Sequence, residues 1–141
     1  MSVNRLMREG LIERVVKDKK KAIAGIRRAK RDIKTALKNL SFDPEWAFTI
    51  AYHAVLRSGM ALMDFEGYRA RGKNQHKVVV EYCKGRLGKK FEELVRTFDR
   101  MRRKRHGFIY GIAAIAEIEA KSYIKEAQKI IRAIANKISK K

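Results

Sequence analysis

The chain has 141 residues, 45% of them apolar, with 35 Lys and Arg against 15 Asp and Glu and a formal net charge of +20. This length and apolar content fit one domain, residues 1–141, with one buried core, and exclude extended disorder. The lone cysteine, Cys83, excludes an internal disulfide and a cysteine-paired zinc site, and no apolar run approaches the roughly 20 residues of a bilayer span.

One proline and the abundance of Ala, Lys, Arg and Ile predict helices throughout. From Leu6 to Leu40 the apolar positions Leu11, Val15, Ala22, Ile26, Ile33 and Leu37 recur every three or four residues, which predicts one long amphipathic helix. Lys17 to Lys21 fall on its wet face. Asp43 is a fitting N-cap and Pro44 a fitting first helical residue, so a second helix is expected from about Pro44 to Phe65. Its apolar residues cover more than one face, which makes it the central element. Trp46, Met60 and Met63 read there as core fillers, and His53 as a packed histidine hydrogen-bonded to a neighbouring helix. GYRARGKNQH, from Gly67 to His76, reads as a basic loop. A short helix from about Asn74 to Lys84 ends at Gly85 or Gly88. A fourth runs from about Lys89 to Arg105, with Gly107 placed to kink or interrupt it. The last carries Ile112, Ile115, Ile118, Tyr123, Ile130, Ile134 and Ile138, ahead of a lysine-rich tail at about 136–141. The expected fold is all-α, an antiparallel bundle of four or five helices.

Charge is unevenly spread: residues 1–40 carry a net +9, residues 41–68 a net −3 and residues 69–106 a net +10. An apolar, slightly acidic core element between basic surfaces points to nucleic acid, an anionic membrane surface or an acidic protein as partner. The membrane reading ranks last, because no helix shows the aromatic-rich apolar face of an interfacial helix. The N-terminus lacks the pattern of a secretory signal, and the lone cysteine fits a reducing compartment, so a cytoplasmic location is expected.

The cations are densest between Phe98 and Gly111. Arg100, Arg102, Arg103, Lys104 and Arg105 directly precede His106. Like charges this close repel and gain little from exposed pairing, so the cluster calls for an anion. Histidine is the side chain whose ordinary pKa lies nearest neutrality, and nearby cations favour its neutral form, the form a general base needs. RNA is cut without a metal when a base removes the 2′-hydroxyl proton, the 2′-oxygen attacks its own phosphate, and an arginine fork stabilises the growing charge. Arg100 and His106 are the candidates for that chemistry; the bland alternative is a solvated basic helix bearing a surface histidine. In a continuous helix Arg100 stands about 120° from His106, whereas Arg102 and Arg103 share its face. Arg102, Arg103, Lys104 and Arg105, with Arg69, Arg71 and Lys73 of the basic loop, are candidate phosphate contacts. His76, beside Lys73 and Lys77, either touches phosphate or opens its helix. No metal-ligand spacing and no Gly-rich phosphate loop is present, so no metal and no cofactor is expected.

AYHAVLRSGMALMDFEGY (Ala51 to Tyr68), His76 at the start of the following helix, and DRMRRKRHGFIYG (Asp99 to Gly111) together resemble the HEPN superfamily over roughly Pro44 to Gly111. The resemblance implies a small helical bundle that pairs as a homodimer. Many members are metal-independent endoribonucleases of toxin–antitoxin or defence systems, often with a nucleotidyltransferase antitoxin, and others only bind nucleotide or RNA. The family's catalytic signature is Arg, four to six residues, then His, often with Asn directly after the Arg. Two registers fit it. The first takes Arg100 and His106, with Met101 in place of the Asn. The second puts Arg105 on the arginine, His106 where Asn is usual and Tyr110 where the histidine should stand; that makes a degenerate member, since a tyrosine with pKa near 10 is a poor base at pH 7. If His106 is the catalytic group, Tyr110 would hydrogen-bond near the site; the resemblance also makes Tyr110 a candidate acceptor of a nucleotide from the partner enzyme. The implied function is RNA binding, with a metal-independent ribonuclease and a non-catalytic RNA, nucleotide or protein-interaction module as the two readings left open.

Overall fold

The computed structural model describes residues 2–111 and 114–139. Its N-terminal region departs from the sequence reading: the single helix expected over Leu6–Leu40 is instead helix α1 (Val3–Arg8), strand β1 (Ile12–Arg14) and helix α2 (Lys19–Asn39). Gly10, left-handed at φ 71°, turns the chain out of α1. Asp18 accepts a hydrogen bond from the Lys21 N–H at 2.9 Å and starts α2 afresh. Ile12, and not Leu11 or Val15, is the residue buried at β1.

Helix α3 (Pro44–Glu66) begins where the Asp43-Pro44 pair says it should, with the Asp43 carboxylate accepting from the Trp46 N–H at 3.0 Å. Gly67 ends it in a left-handed conformation at φ 86°. A Cβ there would lie 2.9 Å from the Val15 carbonyl oxygen, so only glycine lets the two segments pass. The next three residues, read as loop, form strand β2 (Tyr68–Ala70), antiparallel to β1 with Ile12 opposite Ala70.

Helix α4 (Gln75–Leu87) stops at Gly88, and a 3-10 turn over Lys89–Phe91 leads into helix α5 (Glu92–Ile109). The fourth helix therefore starts later than Lys89, and it runs through Gly107 without interruption. Helix α6 (Glu117–Ser139) closes the chain. Ile115 precedes it, and Ile112, assigned to this helix from sequence, lies outside the described residues, as do Lys140 and Lys141 of the tail.

Among the described residues the architecture is all-α apart from the two short strands. Helix α3 is central: Phe48, Ala51, Tyr52, Val55 and Leu62 are buried along it, and α2 and α6 pack on it most extensively. Helix α2 contributes the small-residue stripe Ala22, Ile26, Ala29, Ile33 and Ala36, and α6 contributes Ile124, Ile130, Ile131 and Ile134. Each isoleucine so buried is worth about 1.5–3 kcal/mol. Helix α4 lies directly on α3, since a Cβ on Gly59 would come within 2.6 Å of Val79 Cγ1. Buried beside it, the Cys83 thiol is pushed up to about 12 by burial, which leaves it a packing residue.

Two of the three core-filler readings are corrected. Met63 is buried, but Trp46 is 54% and Met60 51% exposed. Trp46 sits in the first turn of α3, at the end of the bundle, in a groove with Phe108 and Ile109. Met60 looks into the groove between α2 and α3, beside Lys21 and Arg57. Among the described residues no helix is long and apolar enough to cross a membrane.

Candidate functional site

The first turn of α4 faces the C-terminal half of α5. The helix opens at Asn74, whose side chain makes no capping hydrogen bond, so first-turn N–H groups are left for an outside acceptor. Lys73, Asn74, His76 and Lys77 from this side meet Arg102, Arg105 and His106 of α5 around a groove of about 400 Å³. Among the described residues no carboxylate lines it.

Behind the groove lies a buried polar cluster. The hydroxyl of Tyr52, a fully buried residue of α3, is 3.0 Å from His76 Nδ1. The His53 ring meets the His76 ring edge-on at 6.2 Å, and the Arg105 guanidinium lies 5.9 Å from the Tyr52 ring centroid. Arg105 Nε is buried and has no hydrogen-bond partner. A buried cationic donor in that state wants an acceptor.

The electrostatics follow from this packing. Burial first, then the Arg105 and Arg102 charges, lower the pKa of His76 and favour its neutral form. His53 is lowered by burial, then by Arg105, His76 and Arg57, with Asp32 opposing. Burial pushes the Tyr52 hydroxyl up to about 12 against the pull of Arg105 and Arg102, so it stays a phenol.

The sequence-derived candidates separate. Arg102 and Arg105 share the cationic groove with Lys73 and His106. Arg100 and Arg103 line a different groove, of about 200 Å³, with Glu81, Glu92 and Asp99. Because α5 is continuous, Arg100 and His106 stay on different faces, and a single chain does not bring them to one cleft. Asp99 pairs with Arg102 at 2.9 Å and with Arg103 at 3.3 Å, and Lys104 pairs with Glu119 of α6 at 3.3 Å. Arg69 and Arg71 turn to Glu13 of β1, Arg69 Nε donating a hydrogen bond at 2.8 Å and Arg71 Nε forming an ion pair at 3.4 Å. Tyr110 is 66% exposed, its ring 4.8 Å from that of His106.

His53 is half-buried against the His76 ring, and the hydrogen bond to a neighbouring helix that its position led us to expect is made by His76. Tyr52 was missed: in sequence it is one more apolar-face aromatic. No spacing in the sequence singles it out; only the fold gathers the chain's three histidines around this residue and its groove. Among the described residues no group of three or more His, Cys, Asp or Glu side chains is placed to hold a metal ion. Cations, free N–H groups and two imidazoles facing one concavity offer phosphate binding and proton transfer.

A family model described as HEPN domain matches residues 24–138. No curated protein and no solved structure matches the chain. The matched stretch holds α3 to α6 and the groove, and leaves α1 and β1 outside it.

Proposed function

The chain belongs to the HEPN family, and from that premise we propose that it binds the phosphodiester backbone of RNA in the groove between the first turn of α4 and the C-terminal half of α5. One observation carries the reading: Lys73, Lys77, Arg102 and Arg105 converge on a concavity with no lining carboxylate. The unpartnered Arg105 Nε supports it. Phosphate oxygens supply the missing acceptor and relieve the repulsion among the cations.

The test is fluorescence anisotropy with a labelled single-stranded RNA across a salt series. Affinity falls with salt, by about 0.7 log units per log salt for each phosphate neutralised, and an Arg102→Ala/Arg105→Ala double variant has a shallower slope. Arg100→Ala/Arg103→Ala leaves the slope near that of the parent. Equal losses from the two pairs would overturn the assignment of the groove, and salt-insensitive or absent binding would overturn RNA as the ligand.

The reading includes a homodimer. Trp46 and the 57% exposed Ile109 are the apolar part of a groove that shares Arg105 with the cationic one, which suits cover by a second copy. Light scattering then gives the mass of two chains, and Trp46→Glu gives one. A nucleotidyltransferase antitoxin is the proposed second partner, with the exposed Tyr110 hydroxyl as the acceptor of a nucleotide. Co-expression adds mass to the tryptic peptide that holds Tyr110; an unmodified peptide removes this part.

A further inference from the structure

We propose that His76 is a second proton-transfer group in the cationic groove, acting with His106 as a general acid–base pair on a bound RNA phosphodiester, and that Tyr52 positions it. The proposal rests on the RNA-binding reading above. The arginine–histidine signature lies wholly on α5, whereas His76 comes from α4, so the pair exists only in the folded chain.

The geometry separates the two imidazoles by environment. His106 is exposed at the groove's rim, with the Tyr110 ring beside it. His76 is half-buried and anchored from behind through Nδ1 by the Tyr52 hydroxyl. That contact leaves Nε2 as the nitrogen for the groove. When Nδ1–H donates to the phenol oxygen, Nε2 presents a lone pair, the tautomer a base requires. The charged and titratable groups around His76 are Tyr52 and His53 of α3, Lys73 and Lys77 at its own end, and Arg102, Arg105 and His106 of α5. Among the described residues none of these neighbours is a carboxylate that would hold the His76 imidazolium. One imidazole held from behind and half-buried, and one exposed at the rim, give the groove two proton-transfer groups in different surroundings.

The step balances without a co-reactant. His76 Nε2 takes the proton of a 2′-hydroxyl, the 2′-oxygen bonds to the adjacent phosphorus, and the phosphorus–5′-oxygen bond breaks. His106 delivers its proton to the departing 5′-oxygen. The products are a 2′,3′-cyclic phosphate end and a 5′-hydroxyl end, and proton exchange with water resets the pair. Arg102 and Arg105 hold the non-bridging oxygens as charge develops.

The test uses the full chain, a mixed RNA pool in EDTA for cleavage, and a short 2′-O-methyl RNA, which lacks the nucleophile, for binding. The parent produces cyclic phosphate ends with a bell-shaped pH dependence. His76→Gln and His106→Gln each lower cleavage by about 100-fold or more, in the range of general acid–base effects, a far larger loss than either shows in binding 2′-O-methyl RNA. Added imidazole restores activity to His76→Ala, which a purely structural histidine would not allow. Tyr52→Phe keeps cleavage but moves the limb of the pH profile that belongs to the base. A His76→Gln variant that cleaves like the parent overturns the proposal, as does a His76→Ala loss that imidazole leaves unchanged. A parent that binds 2′-O-methyl RNA and cuts nothing overturns the acid–base pair and leaves the binding reading standing; a parent that binds none of it overturns both.

Discussion

Besides the apolar groove at Trp46, helix α5 borders two charged grooves, and their chemistry differs although the same run of arginines supplies both. On one face Arg100 and Arg103 look across Glu81, Glu92 and Asp99, and the local charge is nearly balanced. On the other, Arg102 and Arg105 join Lys73, Lys77 and two histidines with no carboxylate among the lining residues. Cation density along the chain therefore does not locate the site. What separates the two faces is the acids: Glu92 and Asp99 of α5 itself and Glu81 of α4 line the first groove, and the first turn of α4 brings none to the second.

Charge reversal breaks the comparison hardest. Arg105→Glu weakens RNA binding by at least about 30-fold, as expected when a partly buried anion contact is inverted, whereas Arg100→Glu stays within about fivefold of the parent, the scale of an exposed pair. Anisotropy titrations at one fixed salt concentration read both. A smaller effect comes from Asp99→Asn, which releases Arg102 and Arg103 together. RNA affinity rises a few-fold, and thermal unfolding shows a loss of less than about 1 kcal/mol, since these pairs are partly exposed. Asn74→Asp sharpens the contrast by bringing a carboxylate to the edge of the cationic groove. It stabilises the start of α4 by about 0.3–1 kcal/mol through the helix dipole while RNA binding falls, so melting temperature and affinity move in opposite directions.

The smallest prediction concerns pH. The pKa values of His53 and His76 are lowered on folding from the ordinary 6.5, so below that pH the unfolded chain takes up protons the folded chain resists. Their contribution to stability is fully present above about pH 6.5 and is lost as pH falls through the lowered values. Melting temperature drops over that window in the parent, and the drop is shallower in a His53→Gln/His76→Gln variant. A pH response of the same depth in both would assign it to carboxylates elsewhere.

What could be read in advance followed from chemistry local to the chain. The Asp43-Pro44 start of α3 and the stop of α4 at one of two glycines, Gly85 or Gly88, are cap and turn residues acting on their neighbours. The 100° step of a helix places Arg102 beside His106. The strands β1 and β2 hid because three residues are too few to show a two-residue period, and Leu11 and Val15 happen to fit a helical one. Trp46 and Met60 misled because an apolar residue on a helix says nothing about whether a neighbour reaches that turn. The cationic groove needed the approach of α4 to α5, and the Tyr52–His76 bond needed α3 behind both. Neither is encoded at any spacing along the sequence.

The short β1–β2 pair has a kinetic consequence. It holds the chain through Ala70, and the Arg71 N–H adds a bond to the Leu11 carbonyl at 2.8 Å, so little slack remains before α4 opens at Asn74. Lys73 and the α4 first turn are thus ordered before any ligand arrives, and an anion that docks there loses little affinity to freezing loop conformations. Salt should then act mainly on how fast the anion arrives rather than on how long it stays. Removing residues 1–14 would slacken the segment and move part of that dependence into the dissociation rate.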